Sequence, residues 1–398
     1  MMITASLFSQ LLGHCPRGEF AGLAKRHNAE RYAKGFDCWT QFVSMLFCQL
    51  ARADSLRQIC NGLSCCLGKL THLGMRTAPS RSTLSYANAH RPAELYEDLL
   101  WTVIARCRAN GGLGQRKAKF RFKNRLLSLD STTMSLCLSL FPWADFRRAK
   151  GGVKAHVLLD HDDYMPAWML ITTASVHDVK VTPLLDFPRG SIIVMDRGYN
   201  DYDLFGSWTE RGIYFVTRLK ENAVFRVVKK LRVPERSNVL DDQLIELTGF
   251  RANKTCPHVL RRVVVWDEVN EREIVLLTNH LDFGATTIAA IYKDRWEIEL
   301  FFKTLKQNLR IKTFVGTTPN ALLIQIWTAL IALVLLKWLH HLSKAGWSFA
   351  NMATMLRLNL FTYRPLTDWL DNPYGTPPVV PDAVQLGLPF AALGQATA

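Results

Sequence analysis

Two apolar runs that each stop at an acid limit what this chain can fold into more than any other feature. Arg125-Leu-Leu-Ser-Leu-Asp130 and Ser191-Ile-Ile-Val-Met-Asp196 are short and densely apolar, the pattern of buried strands. Such strands belong to sheets covered by helices on their faces. Residues 154–160 and 165–173 supply two more strand patterns, joined by the turn His161-Asp162-Asp163. After Asp196, residues 201–211 suit a crossover helix and residues 212–218 another strand. Three strands fit for a meander, then strand, helix, strand, predict a mixed five-stranded α/β sheet. Adjacent parallel strands bring their end residues to one edge, where sites in open α/β sheets form.

A third acid stands on a helix. Tyr292-Lys-Asp-Arg-Trp-Glu-Ile-Glu-Leu-Phe-Phe-Lys-Thr-Leu-Lys306 contains no Gly or Pro. At about 100° per residue, Tyr292, Arg295, Lys303 and Lys306 fall within roughly 40° of Glu299. Ile298, Phe302 and Leu305 form an apolar stripe roughly 80–90° away, and Glu297 points roughly 160° from Glu299. Asp282 is an N-cap candidate for this segment. Alone, the polar face could be a row of surface salt bridges.

The chain carries 49 Lys and Arg against 34 Asp and Glu, a formal net charge of +15, which favours a polyanionic partner, nucleic acid before a membrane surface. Nine Cys are scattered without paired CxxC spacing, which argues against structural zinc and fits reduced core thiols in the cytoplasm. The apolar run 321–336 is short for a bilayer and interrupted by Gln325 and Thr328, so it is expected to be a buried core helix, with no membrane partner. The C-terminal portion from about Leu322, which contains this apolar helix, is one guess for a dimer contact.

Residues 1–115 read as an all-α region. In it, Ser80 or Ser82 caps a helix whose exposed side chains should be Arg81, Ser82, Ser85, Asn88 and Arg91. Paired with the helix over 55–63, this segment fits a helix-turn-helix recognition helix, with Arg81, Ser82 and Asn88 as DNA contacts; a polar connector helix is the plainer alternative. Residues 110–125 form a linker. Residues 116–220 and 285–345 should be two parts of one core, separated by a β-rich segment over 221–284, and residues 346–398 a partly loosely ordered extension.

Asp130, Asp196 and Glu299 are hard oxygen ligands suited to two divalent ions that drive an in-line displacement at phosphorus. Asp178 is the best substitute ligand. Asp130-Ser-Thr, Asp196-Arg-Gly-Tyr and the Tyr292-x2-Arg295-x3-Glu299-x6-Lys306 face together resemble the DDE transposases of bacterial insertion sequences. The resemblance is to the group named for insertion sequence four, marked by its Tyr-Arg-Glu-Lys signature, and extends from the N-terminal helical region to about Lys337. It implies an RNase H-like core, two Mg²⁺ ions (Mn²⁺ as the substitute), and cut-and-paste DNA transposition at the terminal inverted repeats of the element. Asp130, Asp196 and Glu299 would be the catalytic and metal-binding acids. Tyr292, Arg295 and Lys306 would grip DNA phosphates, with Lys303 and Arg197 alongside; Trp296 matches a family position beside the Glu, and Trp266 would stack on a flipped base. The implied partners are double-stranded DNA, as transposon ends and target, and a second protomer in a synaptic complex, in the bacterial cytoplasm at the nucleoid. A catalytically silent DNA-binding descendant and a nuclease without strand transfer are the alternatives.

Overall fold

The computed structural model describes residues 5–378 apart from 32, 67, 112–118, 138–139, 142, 144, 148–149, 310 and 312. Helices α1 (Leu7–Leu12), α2 (Arg17–Arg26), α3 (Cys38–Ala51), α4 (Leu56–Ser64), α5 (Arg81–His90) and α6 (Glu94–Gly111) come first. Their starts are written in the sequence: Asp37, Ser55 and Ser80 each accept a backbone N–H of the first turn, the usual N-cap bond. The strands follow: β1 (Leu126–Leu136), β2 (Asp145–Arg147), β3 (Lys150–Asp160), β4 (Met165–Thr173) and β5 (Ile192–Met195). Then come α7 (Tyr202–Glu210), β6 (Tyr214–Arg218), β7 (Phe225–Lys230), β8 (Val239–Leu247), α8 (Phe250–Thr255), β9 (Leu260–Asp267) and β10 (Arg272–Thr278). The chain continues with α9 (Ala285–Asp294), α10 (Trp296–Asn308), α11 (Pro319–Leu342), α12 (Phe349–Leu358) and α13 (Leu366–Asp371).

The expected five strands are present in the order β4-β3-β1-β5-β6, but among the described residues the sheet has ten. β1, β5 and β6 are parallel neighbours, and β3 and β4 add antiparallel at one side. On the other side β10 pairs antiparallel with β6 and the sheet runs on through β9 and β8 to β7. Residues 225–278 therefore extend the same sheet. β7 escaped the sequence reading because Phe225-Arg-Val-Val-Lys-Lys230 lacks alternation, and as an edge strand it is exposed from Arg226 onward, where charged side chains are at home.

Alternation decides what each face meets. Leu127 and Leu129 of β1 pack with Ile193, Phe205 and Phe215 under α7. Leu126 faces the other way, with Ile192, Val194 and Val216 under Ile288 and Ile291 of α9, so Ser128 and Asp130 belong to the α9 face. Farther along, Met134, Val153 and Val157 join a larger core built from the N-terminal helices, α10 and α11. α11 packs on α3, α5 and α6. It is long and apolar enough to cross a membrane by length and composition, yet 89% of its most apolar window is buried inside the protein. That burial makes α11 a core helix, as expected.

Three further expectations change. A span of 16 residues separates α4 from α5, with a short 3₁₀ turn at Thr71–Leu73, whereas a helix-turn-helix uses about 3–4 residues. The N-cap of α9 is Gly284, not Asp282. Residues after 346 are ordered as α12 and α13 and tie back to the start of the chain. Leu7 and Phe8 donate backbone N–H to the carbonyls of Thr362 and Leu360 at 3.0 and 2.9 Å, and Gln10 Nε2 donates to the Arg364 carbonyl at 2.6 Å. Of the loosely ordered tail expected from Asp371, the part beyond 378 lies outside the described residues, as does 112–118 of the expected linker.

Candidate active site

The site is assembled where parallel pairing ends. Leu129 and Met195 are partners in the β1–β5 ladder. β5 stops there and Asp196 follows at the start of a 3₁₀ turn. β1 does not stop: Asp130 pairs with Val157, and the Ser-Thr-Thr-Met-Ser-Leu run keeps pairing with β3 to Leu136. Asp130 thus lies mid-strand, at the end of the parallel ladder rather than of the strand.

Opposite it, the expected continuous helix is interrupted. α9 ends at Asp294 and α10 begins at Trp296. Across the joint, Arg295 N–H bonds the Tyr292 carbonyl and Ile298 N–H the Arg295 carbonyl at 3.2 and 3.1 Å. These i→i+3 bonds tighten the turn, so angles counted at a constant pitch do not carry across it. Tyr292, expected on the polar face, is buried in the core under α9 at 9% exposure, and Arg295 lies over its ring, 5.6 Å from the centroid. Arg295 still reaches the acids. Its Nη1 donates to Asp130 Oδ2 at 3.0 Å and its Nη2 to Glu299 Oε1 at 2.6 Å. The guanidinium is mostly buried, and its Nε has no hydrogen-bond partner among the described residues.

Asp130 also accepts the Ser131 N–H at 2.8 Å. Burial pushes its carboxyl up to about 6; Arg295 and the Ser131 N–H pull down, while the charges of Glu299 and Asp196 push further up. The electrostatics therefore join all three acids. One guanidinium joins two carboxylates, Asp130 and Glu299, while Asp196 adds its charge beside Asp130, and the remaining negative charge is carried by oxygen donors alone, the donor chemistry of a hard divalent cation. Among the described residues, no three His, Cys, Asp or Glu side chains already converge as a ready cage.

A polar cluster flanks Asp130 that the sequence reading did not assemble. Ser131 Oγ donates to Asp178 Oδ1 at 2.8 Å, and Lys154 Nζ donates to the same oxygen at 3.2 Å. His156 is fully buried beside it; burial first, then Lys154, holds its pKa down to about 4 against the pull of Asp178. Asp178, weighed as a substitute ligand, is engaged by these groups. The available signal was Ser131 itself, which follows the acid and must point to the opposite face of the strand.

The remaining predicted residues divide by exposure. Trp296 is 58% exposed. Lys303 is exposed and Lys306 half-buried, about one and two turns beyond Glu299. Arg197 is exposed and donates to Glu221 at 2.8 Å. Glu297 faces a separate cleft lined by Asp163, Lys337 and Phe349. Trp266, at the end of β9, is 38% exposed. Arg81 and Ser82 are exposed in the first turn of α5. Asn88 is not. It is 1% exposed, accepts from Gln41 Nε2 at 2.8 Å and points its amide at Met45. It packs α5 onto α3 and is withdrawn as a DNA contact.

A family model, Transposase DDE domain, matches residues 121–335, more than half of the chain, from just before β1 into α11. The chain belongs to the DDE transposase family. A second model, a domain of unknown function, matches residues 4–76. The protein of Geobacillus stearothermophilus named as a transposase for insertion sequence element IS5377 is 33% identical over 265 residues, covering 66% of this chain and 68% of that protein. The Sinorhizobium fredii protein y4zB, also named as a transposase, is 30% identical over 308 residues, 76% of this chain and 83% of that one. A Synechocystis protein named as a transposase for insertion sequence element IS4SA is 26% identical over 299 residues, 73% of this chain and 80% of that protein.

Proposed function

We propose that this chain is an active transposase of the group named for insertion sequence four, binding the terminal inverted repeats of its own element and catalysing DNA cleavage and strand transfer. The observation that carries this reading is the contact of Arg295 with both Asp130 and Glu299, beside Asp196 at the end of the neighbouring parallel strand. The strand order β4-β3-β1-β5-β6 supports an RNase H-like core over 116–220 and 285–345, with 221–284 as its inserted extension and 1–115 as the end-binding region.

Asp130, Asp196 and Glu299 would hold two Mg²⁺ ions, or Mn²⁺ in their place, which supply activation of a water or 3′ hydroxyl and charge stabilisation at phosphorus. Arg295 offsets the acids' charge and, held over Tyr292, offers a planar fork of donors suited to a phosphate. Lys303, Lys306, Arg197 and Trp296 extend that surface along a DNA end, and Arg81 and Ser82 offer a second contact. Trp266 has the exposure needed to stack on a base. The working unit would be two protomers on two DNA ends in the bacterial cytoplasm.

The test uses the full chain with a duplex carrying the element's terminal repeat. Wild-type protein with Mg²⁺ should nick that duplex and join pre-cleaved ends to target DNA. Asp130→Asn or Glu299→Gln cleaving at the wild-type rate overturns the site. Cleavage without joining points instead to a nuclease, and end binding without either step to a silent descendant.

A further inference from the structure

A second polar chain runs from β1 to the same helix joint, beneath the first. Asp294 ends α9, directly before Arg295, and is 3% exposed. Its Oδ2 lies 2.6 Å from His161 Nδ1, and the Tyr164 hydroxyl donates to that oxygen at 3.4 Å. Its other oxygen is paired with Lys119. His161 belongs to the turn after β3, with its side chain 5% exposed. Its Nε2 lies 2.6 Å from the hydroxyl of Ser128, which is fully buried in β1 two residues before Asp130.

The proton assignment is settled by the partners. A carboxylate only accepts, so Nδ1 carries the proton towards Asp294, and in the neutral ring the Ser128 hydroxyl donates to Nε2. A Ser-His-Asp row of this kind can activate a nucleophile. Here the Ser lies at 0% exposure inside a sheet strand, where no substrate reaches it. Its geometry serves another end. Ser128 and Asp130 project on one face of β1, while Asp294 and Arg295 are consecutive. Two parallel ties thus join the same strand to the same joint: Asp130 to Arg295 directly, and Ser128 through His161 to Asp294.

We propose that Ser128, His161 and Asp294 form a positioning relay that fixes the α9–α10 joint, and with it Arg295 and Glu299, relative to Asp130, so that the acids hold their divalent ions in register. None of the three touches the DNA or the reacting atoms. This inference rests on the metal-site reading above. Outer partners that orient metal ligands typically account for roughly 10–100-fold in metal affinity or activity.

The test is calorimetric titration of the full chain with Mn²⁺ alone, well below the melting temperature. Ser128→Ala and Asp294→Asn should bind Mn²⁺ about 10–100-fold more weakly. Ser128→Thr, which keeps the hydroxyl, should stay closer to wild type than its isostere Ser128→Val. Wild-type Mn²⁺ affinity in Ser128→Ala, equal affinities for the Thr and Val variants, or failure of Ser128→Ala to fold would overturn the relay, the last by making it a scaffold bond only. Asp130→Asn is the control. If it binds Mn²⁺ as wild type does, the metal-site reading has failed; if it weakens and Ser128→Ala does not, the relay alone has failed.

Discussion

The two ties between β1 and the α9–α10 joint use similar parts to opposite ends. In the inner one, Asp294 has both oxygens occupied by His161 and Lys119. Burial pushes its carboxyl up, but the hydrogen bonds from His161 and Lys119 outweigh that and hold it below the usual carboxylate range. In the outer one, burial and neighbouring acids push Asp130 up to about 6 even though Arg295 touches it. A satisfied network rigidifies a fold, whereas an under-neutralised one holds charge in reserve for a ligand. The difference separates scaffold from site within a span of a few residues.

The largest expected effect breaks the outer tie. Asp130→Asn or Glu299→Gln should lower end cleavage by more than about 100-fold, beyond the usual loss for outer partners, measured with Mg²⁺ on a labelled end duplex. Arg295→Lys comes next. A lysine cannot span two carboxylates as a planar fork, so cleavage should drop by about 10–100-fold while the melting temperature changes little.

Stability against pH sharpens the contrast, because the signs are opposite. A carboxyl with a raised folded-state pKa contributes stability at low pH that is lost as pH rises, here between the ordinary value and about 6. Chelator-treated Asp130→Asn should therefore melt above wild type at pH 7.5, by roughly 1–3 kcal/mol, and the gap should close as the pH falls through 6 towards 4. Asp294 is depressed, so its contribution is present above the ordinary carboxylate range and lost as pH falls through its lower folded value. Asp294→Asn should be destabilised at pH 7.5 by about 1–3 kcal/mol and lose its disadvantage in acid. Thermal melts across pH 3–8 would check both. The smallest effect is expected at Glu297, which faces away from the acids; Glu297→Gln should leave cleavage within about twofold of wild type.

How much of this was legible depended on how local the cause was. The strand-borne acids and the Glu299 face could be read because apolar runs and helical periodicity are short-range signals. Constant pitch failed at Arg295, where a tightened turn buried Tyr292. Asn88 looked like a surface residue because its partners, Gln41 and Met45, belong to a helix more than forty residues earlier. The Ser128–His161–Asp294 chain draws one residue from each of three elements, so no window along the sequence contains it. β7 was missed for the opposite reason: an exposed edge strand needs no pattern.

The place of α11 in the core has a consequence for how the protein is made. The helices built first on the ribosome pack around a helix that ends at Leu342, so their core cannot close until most of the chain has been synthesised. Translation products that stop within the sheet would leave the apolar faces of α3 and α6 uncovered, prone to aggregate and be degraded. Premature termination would then yield loss of protein rather than a free N-terminal fragment competing for DNA.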